Sequence, residues 1–207
     1  MVPARVCLFI DHQNVYHCAR EAFGLHDRPS RCGQIDPLKL AELGAAGRPE
    51  ESRLAGVRVY RGRPHPQRQP RAYGVNMRQS DAHENRGHGL VKVITRPLRY
   101  PAGCPKVAAQ EKGVDVALAV DFVRMAVQGD YDVGVLMSTD TDLIPALEAV
   151  IALRGRRYPR CEAAAWSQPG AYSRCLQVKG ARVWCHWLGP TDYAAVEDLT
   201  DYNQPPT

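Results

Sequence analysis

The chain has 207 residues, of which 44% are hydrophobic and 24% are charged, with a net charge of +5 and seven scattered cysteines. These numbers predict one domain with a sizeable core, and they argue against global disorder, a zinc ribbon or a disulfide framework. Because no apolar run is long enough to span a membrane and the first residues do not resemble a secretory signal, we expect a cytoplasmic protein with no membrane partner.

Strand and helix patterns alternate along the first half of the chain. Near-continuous apolar runs favour strands that are covered on both faces, and apolar residues at helical spacing, bounded by proline and glycine, favour helices. The sequence predicts strands at 5–11, 53–63 and 89–98, helices at 12–24, at 36–47 and within 71–87, and an exposed loop at 100–113.

The alternation continues in the second half. The segment 113–129 is apolar almost all the way round, so we expect a largely buried helix there. The sequence also predicts strands at 132–137 and 182–189 with one further strand between them, helices at 143–155 and around 171–180, and a loosely held acidic tail at 191–207. Residues 1–190 would form a single domain, with an Arg-rich elaboration at about 61–88.

This order of elements predicts an α/β protein of three layers, with helices on both faces of a central, mostly parallel sheet. In such sheets, ligands bind beyond the carboxyl ends of the strands, close to the point where the strand order reverses. Residues that follow directly after strands are therefore the first candidates for a functional site.

Several acidic residues occupy such positions. Asp11 ends the first strand, Asp140 and Asp142 follow the strand 132–137, and Asp115 opens a helix. Two carboxylates 4–5 Å apart repel by roughly 3–4 kcal/mol at an effective dielectric near 20, and a divalent cation removes this conflict. Because oxygen ligands suit hard ions, we expect one or two Mg or Mn ions at this edge of the sheet.

Each acid also has an ordinary structural interpretation. Asp140 and Asp142 are suited to cap a helix or to occupy its first turn, and Asp115 lies near a helix start, where any acid is favoured. Asp11 is the hardest to explain in this way, because it closes an apolar strand. Asp121 lies nearly opposite Asp115 on the helix, and we interpret it as structural.

Basic residues are concentrated between residues 53 and 99. This stretch holds eleven Arg or Lys residues, ten of them Arg, against only Asp81 and Glu84. Scattered charge usually marks a solvated surface, but arginine is well suited to bidentate contacts with phosphate. We therefore favour a surface that faces a polyanion.

Three blocks of the sequence resemble the NYN domain family of PIN-like nucleases. They are CLFIDHQNVY, KGVDVALAVDFVRMA and YDVGVLMSTDTDLIPALEAV, and a weaker match continues through AYSRCLQVKGARVW. The resemblance implies a PIN-like, Rossmann-like fold and metal-dependent ribonuclease activity. It also implies that Asp11, Asp115 and Asp140 bind metal and that Asn14 positions a ligand or water.

The same resemblance assigns Ser138 and Asp142 to the polar positions that flank the last acid of the site. Two departures stand out. The Arg-rich stretch 61–88 does not match the family pattern, and Lys179 stands where relatives often carry an acid.

The leading hypothesis is an endoribonuclease that cleaves single-stranded or looped RNA. Whether two copies of the chain form a homodimer stays open at this point. Its metal ligands would be Asp11, Asp115, Asp140 and Asp142, with Asn14 beside them. Substrate contacts would come from Ser138, Arg61, Arg63, Arg68, Arg71 and Arg78.

Three alternatives remain open. One is an RNA-binding PIN-like module without turnover, and another is a different metal-dependent phosphohydrolase or DNA nuclease. The third is acid–base cleavage by His12 and His17, which flank Asp11 in the sequence. We expect these two histidines to be structural or to contact the substrate.

Overall fold

Strand β1 (Ala4–Asp11) lies near the middle of a six-stranded sheet in the computed structural model, which describes residues 2–153, 159–171 and 173–204. Every side chain from Val6 to Asp11 is buried, because helices cover both faces of the sheet. The strand order is β3-β2-β1-β4-β5-β6, and all five pairings are parallel. The predicted α/β fold with a central parallel sheet is confirmed.

The other elements follow the predicted alternation closely. The remaining strands are β2 (Ser52–Arg63), β3 (Val91–Pro97), β4 (Val133–Met137), β5 (Arg160–Trp166) and β6 (Trp184–Leu188). The helices are α1 (His12–Ala22), α2 (Pro37–Ala46), α3 (Pro70–Arg86), α4 (Val114–Gln128), α5 (Ile144–Ala152) and α6 (Pro190–Val196), with a short 3-10 turn at Thr141–Leu143. Among the described residues, none of these helices combines the length and hydropathy needed to cross a membrane.

Two hydrophobic clusters fill the space on the two sides of the sheet. One packs α1, α2 and α6 against one face, and the other packs α4 and α5 against the opposite face. The strand order reverses between β1 and β4, which are neighbours in the sheet although more than one hundred residues separate them. A crevice is therefore expected beyond the carboxyl ends of these two strands.

The prediction that α4 is largely buried is wrong. Only one stripe of the helix, which includes Leu118 and Phe122, packs against the sheet. Val116, Val120 and Val127 are each 58–59% exposed. An apolar composition on all sides therefore did not mean that all sides are covered, because the side that carries these valines faces solvent.

The prediction of a helix around 171–180 is also wrong for residues 171 and 173–180, the part of that segment that the structure describes. The chain is irregular there and makes a tight turn at Gly180, where φ is +78°, so that Val178 and Ala181 form an isolated β-bridge. Cys175 and Cys185 form a disulfide, although the sequence analysis gave disulfides little weight. The predicted end of the helix at 143–155 falls partly outside the described residues.

The tail that was expected to be loosely held is instead folded as far as it is described. After α6 the chain packs against α3, where Asp198 and Tyr202 are only 4% and 8% exposed. The Asp198 carboxylate accepts hydrogen bonds from Tyr202 Oη at 2.6 Å and from Arg86 Nη1 at 3.3 Å. Arg86 also donates to Asp36, the residue that caps α2, at 3.0 Å. Acids that suggested a solvated tail are thus paired with the basic face of α3.

This arrangement makes stability depend on the Asp198 charge. Burial alone would raise the pKa of Asp198, but hydrogen bonds from His83, Thr200 and Tyr202 outweigh it and hold the pKa well below its usual range. A carboxyl group with a lowered folded-state pKa stabilises the fold above its unfolded pKa of about 4, and this contribution declines as the pH falls further.

We therefore expect Asp198→Asn to lower the free energy of unfolding by about 2 kcal/mol at pH 7. The loss should shrink progressively below about pH 4, where the unfolded carboxyl takes up its proton. Urea unfolding at several pH values measures it, with Asp27→Asn, an exposed acid, as the matched control. A loss that is the same at pH 7 and pH 3 would contradict the charge-based account.

Candidate functional site

A cleft of about 370 Å³ opens beyond the carboxyl ends of β1 and β4. The register of the sheet creates it, since Ile10 pairs with Met137 and each strand ends within one residue of this pair. Four carboxylate side chains line the cleft, those of Asp11, Glu111, Asp115 and Asp140. Three of the acids that the sequence analysis singled out therefore lie in one cavity.

Asp11 is held by hydrogen bonds to both of its carboxylate oxygens. One oxygen caps α1 by accepting the Asn14 backbone N–H at 3.2 Å, and the other accepts the Ser138 hydroxyl at 3.1 Å. The same Ser138 oxygen accepts the backbone N–H of Asp140 at 3.1 Å. Ser138 therefore fixes the ends of β1 and β4 relative to each other. It is only 2% exposed, so its predicted contact with substrate does not agree with its position.

Asn14 makes a second connection between the same two segments. Its side-chain oxygen accepts the Thr139 backbone N–H at 3.0 Å and the Thr139 hydroxyl at 3.3 Å. Asn14 also lines the cleft. Its geometry is that of a residue that positions the loop carrying Asp140.

Glu111 was missed by the sequence analysis, which treated the segment 100–113 as an exposed loop. Its carboxylate accepts the backbone N–H of Gly62 at 2.6 Å, so the end of β2 anchors it beside the cleft. A side chain at position 62 would collide with it, because a Cβ atom there would lie 2.7 Å from Glu111 Oε1. The available signal was its spacing, four residues before Asp115, just ahead of the helix start.

The electrostatics of the cleft reflect four acids in a confined space. Burial raises the pKa of Asp11 above its usual range, and the charges of Asp140 and Asp115 raise it further. Burial likewise raises the pKa of Glu111, with additional contributions from Asp11 and Asp115. Asp11 and Glu111 therefore resist ionisation first because they are buried and further because of the charges beside them, which is the situation that a bound cation relieves.

The donor set agrees with a hard divalent ion, since all four side chains offer oxygen and none is a thiolate. Among the described residues, no three Asp, Glu, His or Cys side chains are close enough to ligate one ion together. Mg²⁺ usually keeps several waters and takes only one or two carboxylates directly. The residues therefore fit an ion that is held partly through water.

Asp142 and Asp121 lie outside the cleft. Asp142 is exposed, and its backbone N–H donates to Asp140 at 3.0 Å, so Asp140 caps the 3-10 turn that contains Asp142. Asp121 accepts hydrogen bonds from Tyr60 at 2.9 Å and from Arg124 at 2.9 Å. Its interpretation as a structural residue is in accord with these contacts.

A second cavity of about 700 Å³ adjoins the cleft and shares Gln13 and Glu111 with it. It is bounded by the ends of β2 and β3 and by the start of α3, and Arg61 and Arg71 line it. The Arg-rich stretch therefore reaches the edge of the sheet on which the acids lie.

The five arginines predicted to contact substrate differ in their surroundings. Arg61 is partly buried and donates to Gln79 at 2.8 Å, whereas Arg71 is exposed. Arg63 is partly buried, and Arg68 is exposed and lies 5.0 Å from the centre of the Tyr100 ring. Arg78 donates to the carbonyl oxygen of Tyr202 at 2.8 Å, so it helps to hold the tail.

The two histidines beside Asp11 have different environments. His12 is buried, and its burial lowers the pKa well below its usual range, so the imidazole is neutral. It does not line the cleft. His17 is exposed and does line the cleft, where it can contact a ligand.

The family model described as NYN domain matches residues 5–158, which is most of the chain. A solved structure of a protein of unknown function from Vibrio parahaemolyticus is similar, with 20% sequence identity and a TM-score of 0.47 over 78% of this chain and 81% of that one. No curated protein matches the chain.

Charge repulsion in the cleft has a measurable consequence for stability. We expect Asp115→Asn to raise the free energy of unfolding by about 1 kcal/mol in EDTA, because it removes one of four like charges. Asp121→Asn, on the same helix, should lower it by about 1 kcal/mol, because it weakens hydrogen bonds to Tyr60 and Arg124. Thermal unfolding in EDTA measures both, and a loss of stability in Asp115→Asn would contradict strong repulsion.

Proposed function

The chain belongs to the NYN domain family, and on that premise we propose that it is a metal-dependent endoribonuclease. The NYN domain is a PIN-like nuclease domain, so a nuclease is the expected class of enzyme. The observation that carries the proposal is the meeting of Asp11, Glu111, Asp115 and Asp140 in one cleft. A group of repelling carboxylates is costly to keep without a cation to bind.

Asp11, Asp115 and Asp140, with Glu111 as a fourth acid, would hold one or two Mg²⁺ or Mn²⁺ ions. Such an ion, when bound, neutralises charge on a phosphate and lowers the pKa of water. We assign Asp142 no direct contact with the ion, because its side chain is exposed and does not line the cleft.

The protein's own residues would orient the reacting groups. Ser138 and Asn14 fix the Asp11 carboxylate and the segment that carries Asp140, so the acids keep their spacing as substrate enters. His17 lies at the cleft, where it would contact the strand. No nucleophilic side chain is required, since water is the attacking group in this chemistry.

The substrate strand would extend from the cleft into the adjoining cavity. Arg71 is exposed and lines that cavity, Arg68 is exposed just before α3 begins, and Arg63 lies at the end of β2. Their guanidinium groups would contact phosphates of the strand. Single-stranded or looped RNA is preferred in this proposal, because a flexible backbone can bend into a narrow cleft. The overall positive charge of the stretch would make binding depend strongly on salt.

A second candidate is an RNA-binding module without turnover. It is favoured by the spacing of the acids, since no three of the described ligand-type side chains meet around one point. It predicts salt-dependent RNA binding that is unchanged by neutralising the acids.

We expect the purified protein to cleave a labelled single-stranded RNA with Mn²⁺ and not with EDTA. Asp140→Asn should reduce the rate by at least about 100-fold, because it removes one of the cleft carboxylates that would hold the ion. Asp142→Asn should retain activity within about fivefold, because that carboxylate lies outside the cleft. Gel separation of the products measures the rates.

The controls separate the remaining functions. Asp121→Asn, checked for folding, provides a structural control on the same helix as Asp115. Equal products in EDTA, or equal rates in Asp140→Asn and the unmodified protein, would rule out metal-dependent cleavage. Cleavage of a DNA strand of the same sequence at an equal or greater rate would replace the ribonuclease proposal with a DNA nuclease.

A further inference from the structure

The 700 Å³ cavity beside the acidic cleft is lined by Arg61, a partly buried cation. Arg61, near the end of β2, donates through Nη1 to Gln79, but its buried Nε has no hydrogen-bond partner among the residues that the structure describes. Burial lowers the pKa of Arg61 to about 10, and the negative charge of Glu111 offsets only part of that effect. Within the described part of the chain, Arg61 forms no salt bridge.

A guanidinium that is partly removed from water is normally paired with an acid, so the position of Arg61 in a cavity wall favours an anionic ligand. Two further features of the same wall act in the same direction. Helix α3 begins at Pro70 with no side-chain cap, and its first residues line the cavity. The N-terminus of a long helix attracts negative charge, and Arg71 adds a second guanidinium in that first turn.

Another part of the wall is apolar. Pro64, Val75, Leu98 and Ala109 line it, and the volume is within the range of cavities that hold small organic ligands. A bare phosphate would leave this apolar wall uncovered. A phosphate joined to a flat, largely apolar ring would satisfy both parts of the cavity.

We propose that this cavity binds one nucleotide, with its phosphate on Arg61 and Arg71 and its base against the apolar wall. The inference rests on the proposed function for the identity of the strand, and it assigns a substrate position away from the bond that is cleaved. Because the cavity shares Gln13 and Glu111 with the acidic cleft, a nucleotide seated there fixes which phosphate of the strand reaches the carboxylates.

The test measures binding without turnover, by calorimetry in EDTA with the full chain. We expect adenosine 5′-monophosphate to bind at least about tenfold more tightly than adenosine or inorganic phosphate, because only the nucleotide meets both walls. Arg71→Gln should weaken this binding by about tenfold or more through the lost charged contact. Ala72→Trp should do the same by filling the cavity from an exposed position of α3 without changing its charge.

Arg53→Gln is the matched control, because Arg53 lies on β2 but eight residues from Arg61, roughly 26 Å along the strand and at its opposite end. Thermal unfolding confirms that each variant is folded. Arg61→Lys keeps the charge but lacks the planar guanidinium that contacts a phosphate through two N–H groups, so it should also bind the nucleotide more weakly. Unchanged affinity in both Arg71→Gln and Ala72→Trp, or equal affinity for inorganic phosphate, would overturn the proposal.

Oligonucleotides distinguish the source of the nucleotide. A 5′-phosphorylated RNA that binds at least tenfold more tightly than its 5′-hydroxyl form, with the difference lost in Ala72→Trp, identifies a terminal nucleotide. Equal binding of both forms, weakened by Ala72→Trp, identifies an internal one.

If the protein binds the nucleotide but does not cleave RNA with Mn²⁺, the proposed function fails and the cavity assignment stands. If the Ala72→Trp variant cleaves RNA at the normal rate, the cavity assignment fails and the proposed function stands.

Discussion

Repulsion between carboxylates at one edge of a parallel sheet is the constraint around which this molecule is organised. Asp11 ends the buried central strand, and Glu111, Asp115 and Asp140 approach it from separate parts of the chain. Burial strengthens their mutual repulsion, so the fold must hold them in place by other means. Hydrogen bonds that Ser138 and the backbone of Gly62 donate, and the one that Asn14 accepts from the backbone of Thr139, provide that restraint.

The same edge of the sheet carries opposite charge only a short distance away. Arg61 follows directly after the residue that pairs with Asp11, and the start of α3 adds further positive potential beside it. Glu111 lines both the acidic cleft and the adjoining cavity. The carboxylates that attract a cation therefore lie next to the guanidinium groups that attract a phosphate. A phosphodiester with an associated cation has the charge pattern that such a surface complements.

Most of the fold and three of the four cleft acids were predictable from the sequence, because local signals determine them. Apolar runs and helix boundaries indicated the strand ends, and Asp11 and Asp140 stand at those ends. Glu111 was not predictable in the same way, since a loop rich in proline and glycine gives no sign of what its side chains meet. The exposed side of α4 and the packed tail depend on contacts between distant segments, which periodicity does not encode.

The same limit applies to individual roles. Ser138 looked like a residue that meets substrate, but it is buried and acts between Asp11 and the backbone of Asp140. In the sequence, Arg78 and Arg71 look equivalent. In the fold they differ, because Arg78 is bound to the carbonyl oxygen of Tyr202 and Arg71 is exposed. Composition counts such charges alike, whereas tertiary contacts decide which are free.

The position of β4 has a practical consequence for how this domain is delimited. The NYN match stops at residue 158, whereas β5 begins at Arg160 and pairs with β4, and β6 and α6 follow. A fragment cut at the end of the match would leave β4, whose five residues are all buried, as an unprotected sheet edge. Such a fragment would invite intermolecular strand pairing, so expression boundaries should follow the sheet and extend past α6.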